Sequence, residues 1–437
     1  MKFRTPSVFN LAVCVGWVGL VTCFSTNASA ILLEVPQRAP QYASRILHPA
    51  FTSLSVDPAF WVEFFGNLER PNKLSFQLIK HIADRTGVSP WIRPGGVTQD
   101  SSLFDAKFGE PVRDVSTAGG IYRTTYGAEY FKSFSNFAPS TKFTVTLNLG
   151  NDTLGIALNQ TKAAYRYLKA DQIWAFECKY YPQIAILWKL TEPFVDILRS
   201  QISAANSVGS DFVVGEFNSV SCSGKVNITD TFGQALWALD TSLYSASLNV
   251  SRVYLHQGAT LVFQSDNQEN IPGTNGTPGF SSYNLWYPRD SELRGRARAN
   301  PSYVSQLMLS EIVGKSRASQ IVHLPPPANV STDRFAAYGI YERKKLTKLA
   351  LINFSVFNKT STSGDAPGIR VHIEGNGSRT SRLKRMTAPG LDEKNADLVT
   401  WAGQAYTNGS AVGKLKLEPV INNTVWVRDS EAVLIDL

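Results

Sequence analysis

The stretch Phe212-Val213-Val214-Gly215-Glu216 is a short apolar run that ends in a carboxylate. Such runs are typical of strands that are buried in a parallel sheet. Five further runs resemble it, and the segments between them carry apolar residues at helical spacing, as in Ser75 to Thr86. The other candidate strands are Phe51 to Val56, Pro90 to Arg93, Phe143 to Leu149, Gln172 to Glu177 and Val253 to Gln257. This alternation, from about Ile31 to Lys315, predicts βα units around a parallel sheet.

The character of the sequence changes after Pro325-Pro326-Pro327. Short β-rich runs follow, separated by turns that carry Gly, Asn, Asp and Ser. The predicted strands are Tyr338 to Glu342, Lys348 to Phe354, Ile369 to Ile373, Leu415 to Val420, Thr424 to Val427 and Glu431 to Ile435. The pattern is typical of an antiparallel β-sandwich. We therefore predict an α/β domain over residues 31–320 and a C-terminal β-sandwich over residues 328–437.

The first 30 residues have the pattern of a secretory signal peptide. Lys2 and Arg4 precede an apolar stretch from Leu11 to Phe24, and Ala28-Ser29-Ala30 fits a cleavage site. The apolar stretch is shorter than the roughly 20 residues that span a bilayer. Numerous Asn-x-Ser/Thr sequons agree with export. We expect a secreted, extracellular glycoprotein with no membrane association after signal cleavage.

Composition argues against several classes of site. Cys178 and Cys222 alone remain after the signal, and one pair of cysteines is no disulfide framework. The five histidines show no metal spacing, and no Gly-rich phosphate loop is present. We therefore expect no metal, no cofactor and no nucleic-acid partner. The net charge of +8 includes basic clusters near residues 343–348 and 379–385. These either attract an acidic polysaccharide or, as we favour, form a solvated face.

Several segments in order along the mature chain resemble glycoside hydrolase family 79, the β-glucuronidase and heparanase family, and its secreted fungal β-glucuronidases in particular. They are Ile92-Arg93-Pro94-Gly95-Gly96-Val97-Thr98, Gly215-Glu216-Phe217-Asn218-Ser219, Tyr254-Leu255-His256-Gln257-Gly258, Gly279-Phe280-Ser281-Ser282-Tyr283-Asn284-Leu285-Trp286-Tyr287-Pro288 and Thr400-Trp401-Ala402-Gly403-Gln404. The family commonly shows Ile-Arg-Val-Gly-Gly-Asn-Thr, so Pro94 and Val97 are departures.

The resemblance implies a (β/α)8 TIM barrel with an appended β-sandwich, and retaining hydrolysis by two glutamates on strands four and seven. Such carboxyl groups lie about 5–5.5 Å apart, at the carboxyl ends of the strands. Glu216 then fits the nucleophile. The alternative is that Glu216 is a helix-terminal carboxylate or belongs to a surface salt bridge.

The acid/base residue is the point at which this chain departs from the family. The family has a segment like Phe-Glu-Ile-Gly-Asn-Glu-Pro, in which the second Glu is the acid/base. Here Phe176-Glu177 is followed by Cys178-Lys179, so Glu177 matches the earlier, non-catalytic Glu. Glu177 stays a candidate to substitute for the missing acid/base.

The spacing between the two glutamates agrees with a missing segment. Only 39 residues separate Glu177 from Glu216, whereas strand four to strand seven of a barrel needs roughly 90. We therefore expect an internal deletion in which strands five and six are absent. A mis-joined exon and a genuine truncated transcript would both explain it.

Three further residues are candidates for binding the sugar. The resemblance points to Tyr283 and Tyr287 for the uronate carboxylate, or for packing of the barrel top against the sandwich. Asp100 either binds a sugar hydroxyl or caps a helix. The expected function is a secreted retaining glycoside hydrolase of β-glucuronidase type on glucuronic-acid-containing polysaccharides or glycosides, with doubtful activity. The alternatives are a non-catalytic secreted glycan-binding protein and a non-functional truncated product.

Overall fold

The computed structural model describes residues 30–114, 124–150, 153–178, 195–220, 223–260, 279–327, 330–331, 333–360, 366–374 and 381–437. The predicted signal peptide therefore lies outside the described residues, except for Ala30. No helix within these ranges is long and apolar enough to cross a membrane.

Six parallel strands form the sheet of the first domain. Across the sheet they run Ile173–Cys178, Phe143–Leu147, Ile92–Pro94, Thr52–Val56, Arg252–Gln257 and Val213–Phe217. Each was predicted from the sequence to within two residues. The sheet curls into part of a barrel. Among the described residues, the strand that carries Glu177 and the strand that carries Glu216 are its two outermost strands.

Helices connect and cover these strands. They are Trp61–Phe65, Lys73–Thr86, Ala128–Lys132, Leu154–Tyr167, Arg199–Ser207, Phe232–Ser247 and Tyr303–Val313, with 3-10 helices at Pro58–Phe60, Val97–Ser101, Ser133–Asn136 and Ala170–Gln172. Helix Lys73–Thr86 shows how local sequence sets the limits. Asn72 accepts a hydrogen bond from the Ser75 amide at 3.1 Å, and Gly87 ends the helix in the left-handed region at φ 78°.

The C-terminal sandwich has two sheets. The larger contains Ser319–Leu324, Phe335–Glu342, Lys345–Asn353, Glu431–Asp436, Arg382–Thr387, Thr400–Trp401 and Glu418–Pro419. The smaller contains Ile31–Glu34, Gly368–Glu374 and Thr424–Arg428. Strand Ile31–Glu34 comes from the beginning of the first predicted domain and pairs parallel to Gly368–Glu374. The sandwich thus includes segments from both ends of the chain.

One three-stranded sheet and two strand pairs complete the described fold and lie outside the main sheets. Ser102–Phe104, Val112–Asp114 and Thr124–Tyr126 form one small sheet, Ala259–Thr260 pairs with Gly279–Phe280, and Trp286–Tyr287 pairs with Arg298–Ala299. The last pair leaves Trp286 and Tyr287 fully buried beneath the end of the barrel.

The basic residues near 343–348 and 379–385 are partly engaged in ion pairs. Lys384 contacts Glu311 at 2.5 Å, and Arg385 contacts Glu431 at 2.8 Å and Glu418 at 2.9 Å. Arg343 and Lys344 are exposed at a turn, as expected for a solvated face. Since Lys384 and Arg385 are largely buried, their charges stabilise the sandwich and its contact with the barrel.

Candidate active site

Glu216 lies near the carboxyl end of strand Val213–Phe217, and Glu177 lies near the carboxyl end of strand Ile173–Cys178. In parallel barrels this end of the sheet carries the chemistry. Both side chains are 30% exposed, so solvent and a ligand can reach them. The two outermost strands thus bring the predicted nucleophile and the predicted substitute acid/base to the same end of the sheet.

Arg93 holds the two glutamates together. It donates from Nε and Nη2 to the Glu177 carboxylate at 2.5 and 2.8 Å, and from Nη1 to Glu216 at 2.9 Å. The arginine side chain is only 1% exposed. Burial alone would lower the pKa of Arg93, but the hydrogen bond to Glu177 and the charges of Glu216 and Glu177 outweigh it and raise that pKa above its usual value. Arg93 is therefore a permanent cation between two carboxylates.

Gly95 and Gly96, which follow Arg93-Pro94, have no room for a side chain because atoms of neighbouring residues lie close to their backbone. A Cβ on Gly95 would lie 2.5 Å from the Thr146 methyl and 2.9 Å from the Arg93 guanidinium carbon. A Cβ on Gly96 would lie 2.4 Å from the Asp57 carboxylate. Neither contact is possible for a larger residue without displacement. Because these two residues are glycines, the Arg93 guanidinium can pack against Gly95 and the Asp57 carboxyl against Gly96 at the base of the site.

Ser55 and His256 complete the surroundings of Glu216. The Ser55 hydroxyl accepts from Arg93 Nη1 at 2.8 Å and lies 3.1 Å from His256 Nδ1. His256 Nδ1 is also 3.9 Å from a Glu216 oxygen. The imidazole is thus placed beside the predicted nucleophile, on the neighbouring strand Arg252–Gln257.

Asp57 is a buried carboxyl at the end of strand Thr52–Val56. It accepts hydrogen bonds from the amides of Ala59 and Thr98 at 3.1 and 3.2 Å and from the Thr98 hydroxyl. Burial raises the pKa of Asp57 above its usual range, against the effect of the Thr98 hydrogen bonds and of His256. Its partners are all within the fold, so we assign Asp57 to shaping the floor of the site.

The three predicted sugar-binding residues lie in different environments. The Tyr283 ring is 6.1 Å from the His256 ring, which places it near Glu216. Tyr287 is buried, stacks on Phe280 at 6.1 Å and lies under the Arg298 guanidinium at 4.9 Å. Burial raises the pKa of Tyr287. Asp100 lies in the 3-10 helix Val97–Ser101, whose residue Thr98 holds Asp57. Tyr283 is itself buried, with 7% of its surface exposed, so its contact with a sugar stays a prediction.

The described residues supply no group of metal-ligating side chains. Residues 179–194, Cys222 and the side chain of Cys178 lie outside the described residues. Sequence reasoning identified Glu216, Glu177 and Arg93 but not Ser55, Asp57 or the role of His256. His256 stands in a quoted family segment, and that was the signal available for it.

Comparison with known proteins identifies the family. Residues 337–434 match the model described as the glycosyl hydrolase family 79 C-terminal beta domain. A beta-glucuronidase of Aspergillus niger is 24% identical over an alignment of 536 positions that covers 94% of this chain and 93% of that protein. The chain belongs to glycoside hydrolase family 79. A second family 79 relative, a beta-glucuronidase of Neurospora crassa, is 22% identical and covers 89% of this chain and 90% of its own length.

A solved structure confirms the relationship at the level of the fold. The 4-O-alpha-L-rhamnosyl-beta-D-glucuronidase of Fusarium oxysporum superposes with a TM-score of 0.74 and 18% identity, covering 93% of this family 79 chain and all of that chain. The alignment with the Aspergillus protein is longer than the 437 residues present here. It must therefore contain positions at which this chain has no residue.

Proposed function

We propose that this protein is a secreted retaining glycoside hydrolase of β-glucuronidase type, built to bind glucuronic-acid-containing glycans and impaired in hydrolysis. The observation that carries the proposal is the Arg93–Glu216 contact of 2.9 Å at the carboxyl end of the parallel sheet. Family membership and the names of the two relatives support the glucuronide as the substrate class. The signal-like N-terminus and the sequons support secretion.

Glu216 is proposed as the nucleophile. Its carboxylate would attack the anomeric carbon and form a covalent glycosyl-enzyme while the aglycone oxygen departs. Arg93 favours the ionised form that attack requires, and its buried guanidinium holds the carboxylate in a fixed position. His256 lies 3.9 Å from a Glu216 oxygen and packs against Tyr283 at a ring distance of 6.1 Å, and both residues are largely buried beside the nucleophile.

Glu177 is unsuited to be the general acid. A general acid must bring a carboxyl oxygen to the departing aglycone oxygen. Both carboxyl oxygens of Glu177 instead accept charge-assisted hydrogen bonds from Arg93 in a bidentate pair. The pairing supports the view that Glu177 positions Arg93 and that the acid/base residue is missing.

We further propose that two βα units are absent between the strands that carry Glu177 and Glu216. The short sequence interval and the gaps required by the Aspergillus alignment support this. Such a deletion would leave a six-stranded sheet, with the two glutamates on its outermost strands, and this is the sheet that the described residues form. The acid/base segment would have been lost with the missing strands.

The test uses aryl glucuronides whose leaving groups differ in acidity. A dinitrophenolate leaves without a proton, whereas a methylumbelliferyl or alkyl aglycone needs the general acid, which contributes about 10²- to 10⁴-fold. We expect measurable release of dinitrophenol and at least about hundredfold slower release of the others. Azide, which needs no general base, should accelerate turnover and yield β-glucuronosyl azide.

Two variants provide the controls. Glu216→Gln should abolish release of dinitrophenol because the nucleophile is lost. Glu177→Gln should reduce turnover of all substrates by a similar factor if Glu177 only positions Arg93. If Glu177→Gln instead slowed the poor leaving groups and spared dinitrophenol, Glu177 would be the acid and our assignment wrong. Rapid hydrolysis of the alkyl glucuronide by the unmodified chain would equally contradict an impaired site.

A second candidate function is binding without catalysis. The Glu177 and Glu216 carboxylates are each 30% exposed at the carboxyl end of the sheet and offer hydrogen-bond acceptors to a sugar. Titration of the Glu216→Gln protein with glucuronate, followed by tryptophan fluorescence, should saturate if this surface binds. Saturable binding together with no release of dinitrophenol by the unmodified chain would favour this function over hydrolysis.

A further inference from the structure

A second cavity lies at the opposite end of the parallel sheet from Glu177 and Glu216. It has a volume of 610 Å³ and is lined by residues that immediately precede the strands, among them Trp91, Lys142, Asp211 and Ser251. Since the strands are parallel, these residues mark the amino end of the sheet. The volume is in the range of cavities that hold a small organic ligand, about 300–1,000 Å³. We call it the amino-end cavity.

Its lining carries an excess of positive charge. Arg45, Lys142 and Arg317 border the cavity, and Asp211 is the acid among the lining residues. Asp211 is already occupied, because it accepts from Arg252 Nη2 at 2.9 Å and from the Ser251 hydroxyl at 2.8 Å. Those bonds lower the pKa of Asp211 despite partial burial, which by itself would raise it. The charge balance of the cavity therefore favours an anionic occupant.

His48 adds a neutral donor. Its Nδ1 accepts the Ala50 amide at 3.0 Å, so the ring hydrogen lies on Nε2. Burial and the nearby Arg252 charge lower the pKa of His48 to about 4, so the ring is uncharged at neutral pH. A neutral imidazole with its second nitrogen protonated can donate one hydrogen bond to a ligand oxygen.

Trp91 supplies a rigid aromatic side to the cavity. Arg252 lies over its ring at 4.3 Å and His48 meets it edge-on at 4.7 Å, which fixes the indole in place. Leu47, Val88 and Val250 provide apolar lining nearby. A sugar ring has one more polar and one more apolar face. It therefore fits a cavity that combines an aromatic ring, apolar side chains and several hydrogen-bond donors.

We propose that the amino-end cavity is a non-catalytic binding site for a carboxylated sugar unit. The carboxylate would pair with Arg317 and Arg45, and the ring would lie against Trp91. The choice of a glucuronic-acid residue as the sugar rests on the proposed function. The charge and the lining of the cavity are observed independently of that function. Such a site would hold a second part of an acidic polysaccharide while Glu216 engages another.

The experiment measures binding to the full-length Glu216→Gln protein after enzymatic removal of N-linked glycans, because Asn249 in the lining is a sequon. The probe is an oligosaccharide with one glucuronic acid, and its matched control has that carboxylate reduced to an alcohol. Calorimetry should find two sites for the acidic probe. The histidine signals of His48 should shift on occupancy of the amino-end cavity.

Arg317→Asn is the decisive variant. Arg317 is exposed and has φ 54°, a left-handed conformation that asparagine tolerates, so the fold should persist. The second site should weaken by at least about tenfold, since one charge-assisted contact is lost. Arg343→Asn is the matched control, because Arg343 is also exposed, has φ 51° and lies on the sandwich. It should leave both sites unchanged.

The outcomes separate this proposal from the proposed function. Equal binding of the acidic and reduced probes, or equal loss in the Arg317 and Arg343 variants, would overturn the amino-end site. Competition by inorganic phosphate as strong as that by the acidic probe would reduce it to an anion site without sugar recognition and also overturn it. Turnover of dinitrophenyl glucuronide by the unmodified chain depends on Glu216 and not on the amino-end cavity. The result of that assay therefore tests the proposed function alone.

Discussion

At the residue scale, Arg93 is the group on which the site depends. It is almost completely buried and joins glutamates from the two outermost strands of the described sheet. A buried cation is tolerated only when it is paired, and here two carboxylates and the Ser55 hydroxyl surround it. The pairing therefore links the position of the nucleophile to the curvature of the whole sheet.

Replacement of Arg93 tests that link. Arg93→Met should reduce the free energy of unfolding by about 3–5 kcal/mol, because Glu177 and Glu216 would then face each other without a counter-charge. Arg93→Lys should lose less, since it keeps the charge but not the bidentate geometry. Urea denaturation at pH 7 measures both. A loss below about 1 kcal/mol for the Met variant would show that the glutamates are not held by Arg93 in solution.

The site could be predicted from the sequence only in part. Glu216 and Glu177 were found because each ends an apolar run within a segment that resembles the family, and Arg93 was named only as part of the family-like segment Ile92 to Thr98. Asp57 and Ser55 were missed, since a small polar residue at the end of a strand has no distinctive pattern. Tyr287 was predicted as an alternative between sugar contact and packing, and its complete burial against Phe280 favours packing. Burial of an aromatic cannot be read from one sequence.

At the scale of elements, helix Tyr303–Val313 joins the two domains through Glu311. The Glu311 carboxylate accepts from Arg85 of helix Lys73–Thr86 at 3.1 Å, from Lys384 of the sandwich at 2.5 Å and from the Trp401 indole at 2.8 Å. Burial would raise the pKa of Glu311, but the hydrogen bond and charge of Lys384, with Trp401 and Arg85, lower it below its usual value.

This interaction predicts a pH-dependent contribution to stability. A carboxyl group whose pKa is lower in the folded state stabilises the fold above its unfolded pKa of about 4.3, and the effect disappears as the pH falls through the folded value. Glu311→Gln should therefore lose about 3 kcal/mol at pH 7 and little at low pH. Urea denaturation from pH 7 to pH 3 measures the difference. Exposed Glu374→Gln is the control, and a loss that does not change with pH would contradict the ionic origin.

Secondary structure was predicted best where a segment is a short continuous run of apolar residues. The six parallel strands are short and buried, and they match the sequence closely. In the sandwich, Leu415 to Val420 was predicted as one strand, but only Glu418–Pro419 pairs, because Leu415 and Leu417 are exposed. Strand Arg382–Thr387 was interpreted as a basic cluster, because its buried Leu383 and Met386 are three positions apart and do not follow the period of two that indicates a strand. Helix Phe232–Ser247 begins after Thr231, and the preceding Asp230 pairs with Lys394 at 3.0 Å.

At the scale of the whole molecule, the two domains differ in how completely their sheets are paired. Strand Lys345–Asn353 has neighbours on both sides and is largely buried. Within the described residues, strand Val213–Phe217 pairs on one side only and is mostly half-buried. Beside the other outer strand, helix Leu154–Tyr167 contacts Phe176 through Tyr165 at 5.3 Å and exposes Leu154, Leu158 and Tyr165 on one face, where a complete barrel would place another helix. Unpaired edges and exposed apolar faces are costs that a closed barrel avoids.

Hydrogen exchange measured by mass spectrometry tests this difference across the molecule. Within the part of the chain that the structure describes, amides on the outer side of strands Val213–Phe217 and Ile173–Cys178 have no partner strand, so these segments should open at a lower free energy than the rest. Strand Thr52–Val56 is the internal control, because it is buried and paired on both sides in the same sheet. We expect the outer strands to exchange faster by about tenfold for each 1.4 kcal/mol of difference in opening free energy. Equal protection of Val213–Phe217 and Thr52–Val56 would mean that the outer edges of the sheet are covered in solution. That result would contradict the uncovered edges that two absent βα units are expected to leave.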